Sequence, residues 1–298
     1  MNKKISKYII PLLFIAPVFL IYTIFLIVPL IITAYYSLNE WNGVSEEIFI
    51  GFMNYKKLFA NSDYWITFFN TMQLTAISLI IQIGFGLLIA YLLYNKTKGA
   101  RFFRTVYFLP VVIAPVAIGL MFSLFYNSEI GFFNKILSAI GLKMLQTSWL
   151  SNPRTVLYAV MAPQVWQYIG LYVTIFLGAL QTVPTELIES AQIDGAGKAR
   201  TFFQVILSQI RGFINICVIL CLTGSLKSFD HSWIITNGGP GVRSAYLGVF
   251  MYKMTFINSD FGMGSTITIT IVAISLLITA LFNNFSVTEE RGRRGINA

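Results

Sequence analysis

Long apolar runs alternate with short polar segments from one end of the chain to the other. Runs at about residues 8–36, 66–94, 105–126, 155–180, 205–229 and 261–285 each reach the roughly 20 residues needed to cross a hydrocarbon core about 30 Å thick. Unbroken apolar runs belong to helices, whereas membrane barrels alternate apolar and polar positions. The pattern therefore predicts an all-α, polytopic membrane protein with six transmembrane helices. Pro11, Pro17 and Pro29 are expected to bend or shorten the first span; Pro110 and Pro115 fall in the third, and Pro163 in the fourth. The first run begins like a signal peptide after Lys3, Lys4 and Lys7, but it is too long and lacks a small-residue cleavage site. It reads as an uncleaved span.

The polar segments differ in kind. Residues 37–65 form an aromatic-rich loop with an interfacial helix, residues 127–154 a second loop, and DHSWIITNGGPGVRSAY a third. The longest interruption is residues 184–210, PTELIESAQIDGAGKARTFFQVILSQI. It reads as two short helices around a glycine turn. Thr182 or Thr185 can cap the first, with Glu186 and Glu189 in its first turn at the positive end of the helix dipole. Gly195 and Gly197 suit the left-handed backbone that ends a helix, and residues 198–207 restart one.

Composition sharpens this picture. Of 298 residues, 56% are hydrophobic and only 11% charged, against about a quarter charged in an average globular chain. A net charge of +9 is compatible with nucleic acid, but the Lys and Arg sit mostly beside the apolar runs, with some in the outer loops, and form no basic stripe with exposed aromatics. The charge is topological. Lys96, Lys98, Arg101 and Arg104 mark one inner loop, Lys198, Arg200 and Arg211 a second, and Arg291, Arg293 and Arg294 the inner end of the last span. Six spans then leave both termini in the cytoplasm and put the 184–210 segment there too.

Candidate chemistry is sparse. Cys217 and Cys221 sit four apart on one helix face, which disfavours a disulfide and suits packing; neither they nor the sole histidine, His231, have metal-ligand neighbours in sequence. No metal, cofactor or catalytic residue is expected. Gly195-Ala-Gly197-Lys198 is not a phosphate-binding P-loop, since Gln192 occupies the first glycine position, Ala199 the Ser/Thr position, and the flanks are helical. Any ATPase is a separate subunit. The polar interruption offers Leu187, Ile188 and Ala191 beside Glu189 and Asp194. Amphipathic helices lying on lipid favour basic residues on the polar face, so this one suits a protein partner.

ESAQIDGAG, at 189–197, resembles the E-A-A-x-x-D-G-A-G loop of ABC importer permeases. SLNEWNG, GFMNYKKLF, RFFRTVYFLPVVIAPV, WLSNP and LKSFDHSWIITNGGP resemble, in order, pieces of the carbohydrate-uptake branch, the maltose/glycerol-phosphate/multiple-sugar permease type. The resemblance spans essentially the whole chain. It departs at Ser190, where an alanine is usual, and at Leu207-Ser208, where a Leu-Pro pair is usual. The GGP form is similar to the first of two unlike permeases. The resemblance implies a type I importer (MetI-like) fold, with residues 1–65 as first helix and outer loop and 66–298 as a five-helix core carrying a docking loop at 182–211. It implies a second homologous permease, a cytoplasmic ATP-binding subunit dimer, an extracytoplasmic sugar-binding protein and a sugar substrate. The docking residues would be Glu186, Leu187, Glu189, Ala191, Asp194, Gly195, Ala196 and Gly197. The substrate-binding residues would be Gln164, Gln167, Tyr168, Leu171, Cys221, Gly224, Ser225 and Ser228.

Polar residues within spans are costly unless they face water or substrate, or bond across helices. Amides and aromatic faces in the fourth span suit sugar hydroxyls and pyranose rings. The rival classes are an ion-coupled secondary transporter, for which only Asp230 and His231 lie near a span, an ABC permease for another solute, and a membrane enzyme, for which no carboxylate pair or nucleophile–base set is visible.

Overall fold

In the computed structural model the backbone is described for residues 3–94 and 99–296, and the side chains for 13–94, 99 and 102–284. The basic positions Lys3, Lys4, Lys7, Lys96, Lys98, Arg101, Arg291, Arg293 and Arg294 have side chains outside the described residues. Among the described residues, five helices are long and apolar enough to span a membrane, or six if one sharply bent pair is a single span.

In chain order the helices begin with α1 (Lys3–Tyr22) and α2 (Val28–Tyr36), joined through a π-helical turn at Thr23–Ile27. The run is neither broken nor shortened by its prolines: the wider turn precedes Pro29, whose missing N–H would otherwise interrupt the ladder. Two short antiparallel strands follow, β1 (Asn39–Glu40) and β2 (Ile48–Phe49), then α3 (Met53–Ala60). This hairpin was not legible as strand, being only two residues on each side.

Next come α4 (Ser62–Ser78) and α5 (Gly84–Tyr94), continuous through a second π turn at Leu79–Ile83. The expected third span is two helices, α6 (Ala100–Val112) and α7 (Pro115–Phe125), bent by 92°. Pro115 explains the break. It disfavours helical backbone in the residue before it, and Ile113 and Ala114 are extended, with ψ of 136° and 134°. The chain continues through α8 (Phe132–Ala139) to α9 (Val156–Gln181), the most buried of the spans.

The polar interruption holds α10 (Thr185–Ile193), α11 (Lys198–Arg200), a π stretch at Thr201–Ile206, and α12 (Leu207–Gln209). The fifth span, α13 (Arg211–Leu226), starts later than its apolar pattern suggests, because Ile210 leaves helical backbone. The segment expected as a loop after it begins with a helix, α14 (Asp230–Thr236), which packs against α7 and α9. Finally α15 (Leu247–Tyr252) leads through a π turn to α16 (Phe261–Ile296).

The chain forms two compact units. The first comprises Met1–Ser62 and Met251–Ala273, so it takes in a segment that the apolar pattern groups with the core. Within it Asn54 Nδ2 donates to the carbonyls of Ser37 (3.2 Å) and Asn39 (2.8 Å), Thr266 Oγ1 donates to Ser37 O at 3.1 Å, and Trp41 stacks on Tyr36.

The second unit, Asp63–Phe250 with Ile274–Ala298, holds both regions of functional interest. Gly170 sets the approach of α6 to α9, because a Cβ there would run into the Tyr107 carbonyl oxygen. Asn70 Nδ2 donates to the carbonyls of Arg243 and Ala245 at 3.0 Å, and Thr71 Oγ1 accepts from the Leu247 amide at 3.0 Å, tying the 237–247 loop to α4. In a lipid setting such packing and hydrogen bonding, rather than apolar burial from water, hold helices together.

Candidate substrate cavity and docking surface

The second unit contains a cavity of about 380 Å³ lined from α4, the π turn after it, α9, α13 and α14. Gln164, Tyr168 and Leu171 line it from α9, one above another at helical spacing. Cys221, Gly224, Ser225 and Ser228 line it from α13 and the residues just beyond. Seven of the eight expected residues thus share one cavity. Gln167 stands apart: its side chain is buried, is absent from the cavity lining, and donates from Nε2 to the Ile113 carbonyl at 2.9 Å. The break between α6 and α7 frees that carbonyl from the helix ladder and gives the amide an acceptor.

Gln164 Nε2 donates to Ser228 Oγ at 2.6 Å, joining α9 to the end of the α13 segment. Gln82 lies in the π turn, donates to Val165 O at 3.2 Å and accepts a weak bond from Cys221 Sγ at 3.5 Å. Both cysteines are free and buried, so Cys221 packs and hydrogen-bonds rather than pairing with Cys217. Ser78 and Gln82 also line the cavity and were not singled out by sequence reasoning, and His231, weighed there only as a metal ligand or an ion relay, lines it too. Two signals could have found them: an amide in the apolar run 79–93, and the sole histidine just after the fifth span. Lys227 and Asp230 also line the cavity, and both are exposed.

The second region is the helix pair α10–α12. Thr185 does not cap α10; the N-cap is Pro184, without a side-chain bond, and Thr182 Oγ1 instead donates to Ala179 O at the end of α9. Pro184 holds the extended entry itself (φ −60°, ψ 129°). Only Glu186 lies in the first turn; Glu189 follows a turn later. The helix ends in a Schellman arrangement, with Gly195 N donating to Gln192 O (3.1 Å) and Ala196 N to Ala191 O (2.9 Å). Gly195 has φ +78°, the left-handed value the turn needs. Gly197 does not share it, being extended at φ −67°, ψ 163° as the N-cap of α11.

Glu186, Leu187, Glu189, Asp194, Gly195 and Gly197 are exposed, while Ala191 and Ala196 are half-buried. Ile193 is 86% exposed and Phe203 67%. The opposite face is anchored. Ile188 and Phe202 pack on a core that joins α5, α9 and α13 through Leu93, Phe176, Leu180, Ile206, Ile210 and Cys217, and Phe202 meets Tyr91 with ring centroids 4.4 Å apart. The pair therefore shows one apolar–acidic face outward and is rooted by the other.

Comparison with known proteins decides the family. Residues 82–287 match the model for the binding-protein-dependent transport system inner membrane component. The chain belongs to that family. YurN of Bacillus subtilis (strain 168), described as a probable ABC transporter permease protein, is 36% identical over 94% of this chain and 97% of its own. The multiple sugar-binding transport system permease protein MsmF of Streptococcus mutans serotype c (strain ATCC 700610 / UA159) is 31% identical over 86% of this chain and 92% of its own. Among solved structures, a bacterial ABC transporter involved in import of the acidic polysaccharide alginate superposes with a TM-score of 0.82 over 96% of this chain and 98% of that one, at 21% identity. The architecture is thus that of an ABC importer permease, and the protein is an inner membrane component of an ABC transporter.

Proposed function

We propose that this permease is half of the translocation path of an ATP-driven sugar importer, its substrate probed at the 380 Å³ cavity and its motion driven through α10–α12. The observation that carries this reading is the cavity wall, where amide, hydroxyl and aromatic groups from separate helices face one space inside an otherwise apolar bundle. Gln164, Tyr168, Leu171, Cys221, Gly224, Ser225 and Ser228 contact the sugar; Gln167 supports the wall through Ile113. The sugar-named relative MsmF supports the substrate class.

ATP is hydrolysed by a separate cytoplasmic ATP-binding dimer that seats on Glu186, Leu187, Glu189, Ala191, Asp194 and the Gly195–Gly197 turn. A second homologous permease supplies the other half of the path, and an extracytoplasmic binding protein delivers the sugar. Both termini lie in the cytoplasm, residues 1–65 form the first helix and outer loop, and 66–298 the transporting core with its docking loop at 182–211. The exposure of Ile193 and Leu187 beside acidic residues supports a protein partner there, since a lipid-lying helix would favour basic ones.

The test is sugar uptake by the reconstituted importer. ATP-dependent uptake that persists after a protonophore collapses the proton gradient is expected. Uptake that needs the gradient and ignores ATP would assign the chain to ion-coupled transport instead.

A further inference from the structure

Three buried polar atoms of cavity-lining residues have no hydrogen-bond partner: Ser78 Oγ, Gln164 Oε1 and His231 Nε2. They come from three elements, α4, α9 and α14, and their residues are only 1%, 6% and 2% exposed. An unpaired buried polar atom is costly, so three around one cavity point to a ligand that enters it. Their chemistry restricts that ligand. Gln164 Nε2 faces Ser228, which leaves Oε1, an amide oxygen that can only accept, without a partner. Ser78 Oγ can donate or accept, and the imidazole nitrogen does one or the other according to tautomer. A hydroxyl, which is both donor and acceptor, satisfies each of them.

Charge restricts the ligand further. The charged lining residues, Lys227 and Asp230, are opposite in sign and both exposed, whereas the buried part of the wall carries no cation. A carboxylate or sulfonate drawn against Ser78, Gln82 and Gln164 would lose its hydration without gaining a counter-charge, which is unfavourable. We propose that Ser78 and His231, together with Gln164 Oε1, form a hydroxyl-reading subsite for an uncharged sugar ring, and that this permease disfavours uronates and sulfonated sugars. The subsite rests on the reading of the cavity as a sugar path.

The test is ATP-driven uptake by the complete importer in proteoliposomes, with cellobiose, maltotriose, raffinose and xylotriose set against trigalacturonate. Uptake of a neutral sugar with exclusion of trigalacturonate is expected. Ser78→Ala and His231→Gln should then each lower kcat/KM about fivefold, the scale of one net hydrogen bond. They should also narrow the discrimination between that sugar and its monodeoxy analogues. The binding protein is the same throughout, so a changed discrimination ratio belongs to the permease. Preferred uptake of trigalacturonate, or assembled variants with unchanged discrimination, would overturn the subsite. If the variants fail to assemble, the wild-type importer decides with saturating binding protein: no monodeoxy analogue slower than its parent would overturn it. Uptake of none of the five sugars would instead sink the sugar reading, and the subsite with it.

Discussion

The cavity and the α10–α12 helix pair proposed as the docking surface sit in the same compact unit and are built in opposite ways. The cavity collects single residues from segments as distant as Ser78 and His231, buries them, and leaves polar atoms without partners. The docking pair is one contiguous stretch that exposes apolar and acidic side chains together and satisfies its turn internally through the Gly195 and Ala196 amides. The difference teaches where each region's specificity resides. In the cavity it resides in which helices are brought together, and in the docking pair in the local backbone. The cluster through Phe176, Leu180, Ile206, Ile210 and Cys217 links the two physically, which gives a push on α10–α12 a packed route to α9 and α13.

The comparison can be broken most severely at Gly170. Gly170→Ala forces a methyl against the Tyr107 carbonyl, and separating α6 from α9 is expected to cost about 3 kcal/mol. Loss of monodisperse protein, or a large drop in melting temperature, would register it; an unchanged melting temperature would contradict the packing.

Gly195→Val comes next. No atom lies within 4 Å of a Cβ there, so the penalty is conformational, about 1–2 kcal/mol or more for a branched residue at φ > 0. Transport should fall roughly tenfold while the sugar-discrimination ratio stays put, and wild-type uptake would count against the docking turn.

The two glutamines sharpen the cavity side. Gln167→Leu removes the bond to Ile113 O and should destabilise the protein by about 1 kcal/mol without altering sugar discrimination. Gln164→Leu should alter discrimination. Thermal melts paired with uptake competition separate the two roles, and identical profiles would erase the distinction.

The smallest effect is expected at Gly197→Ala, whose backbone is extended with open space around the Cβ. Stability and transport within about twofold of wild type would establish that only the first glycine of the pair is conformationally required.

Which parts were legible follows from the same contrast. The docking pair could be read because its signals are local: a proline before Thr185, a glycine at the turn, and acidic residues among apolar ones. Even so, capping by Thr185, the first-turn place of Glu189 and the left-handed assignment of Gly197 did not survive. Each depended on where the helix starts, and Pro184 and Gly195 fixed that between them. In the cavity, the resemblance to sugar permeases implied eight residues for one site, and the fold brings all of them except Gln167 to one lining. Spacing could not show that Gln167 would turn to Ile113, because its acceptor exists only where Pro115 breaks the third span.

By itself the chain's apolar periodicity determined that this protein is a bundle of membrane helices with a glycine-hinged polar segment, because each of those features is encoded within a few neighbouring residues. Tertiary structure alone decided that Ser78, Gln82 and His231 join Gln164 of α9 around one cavity. A polar side chain in an apolar helix has several ways to satisfy itself, and only the packing of distant helices determines whether its partner is a neighbouring backbone, another side chain, or a space open to a ligand.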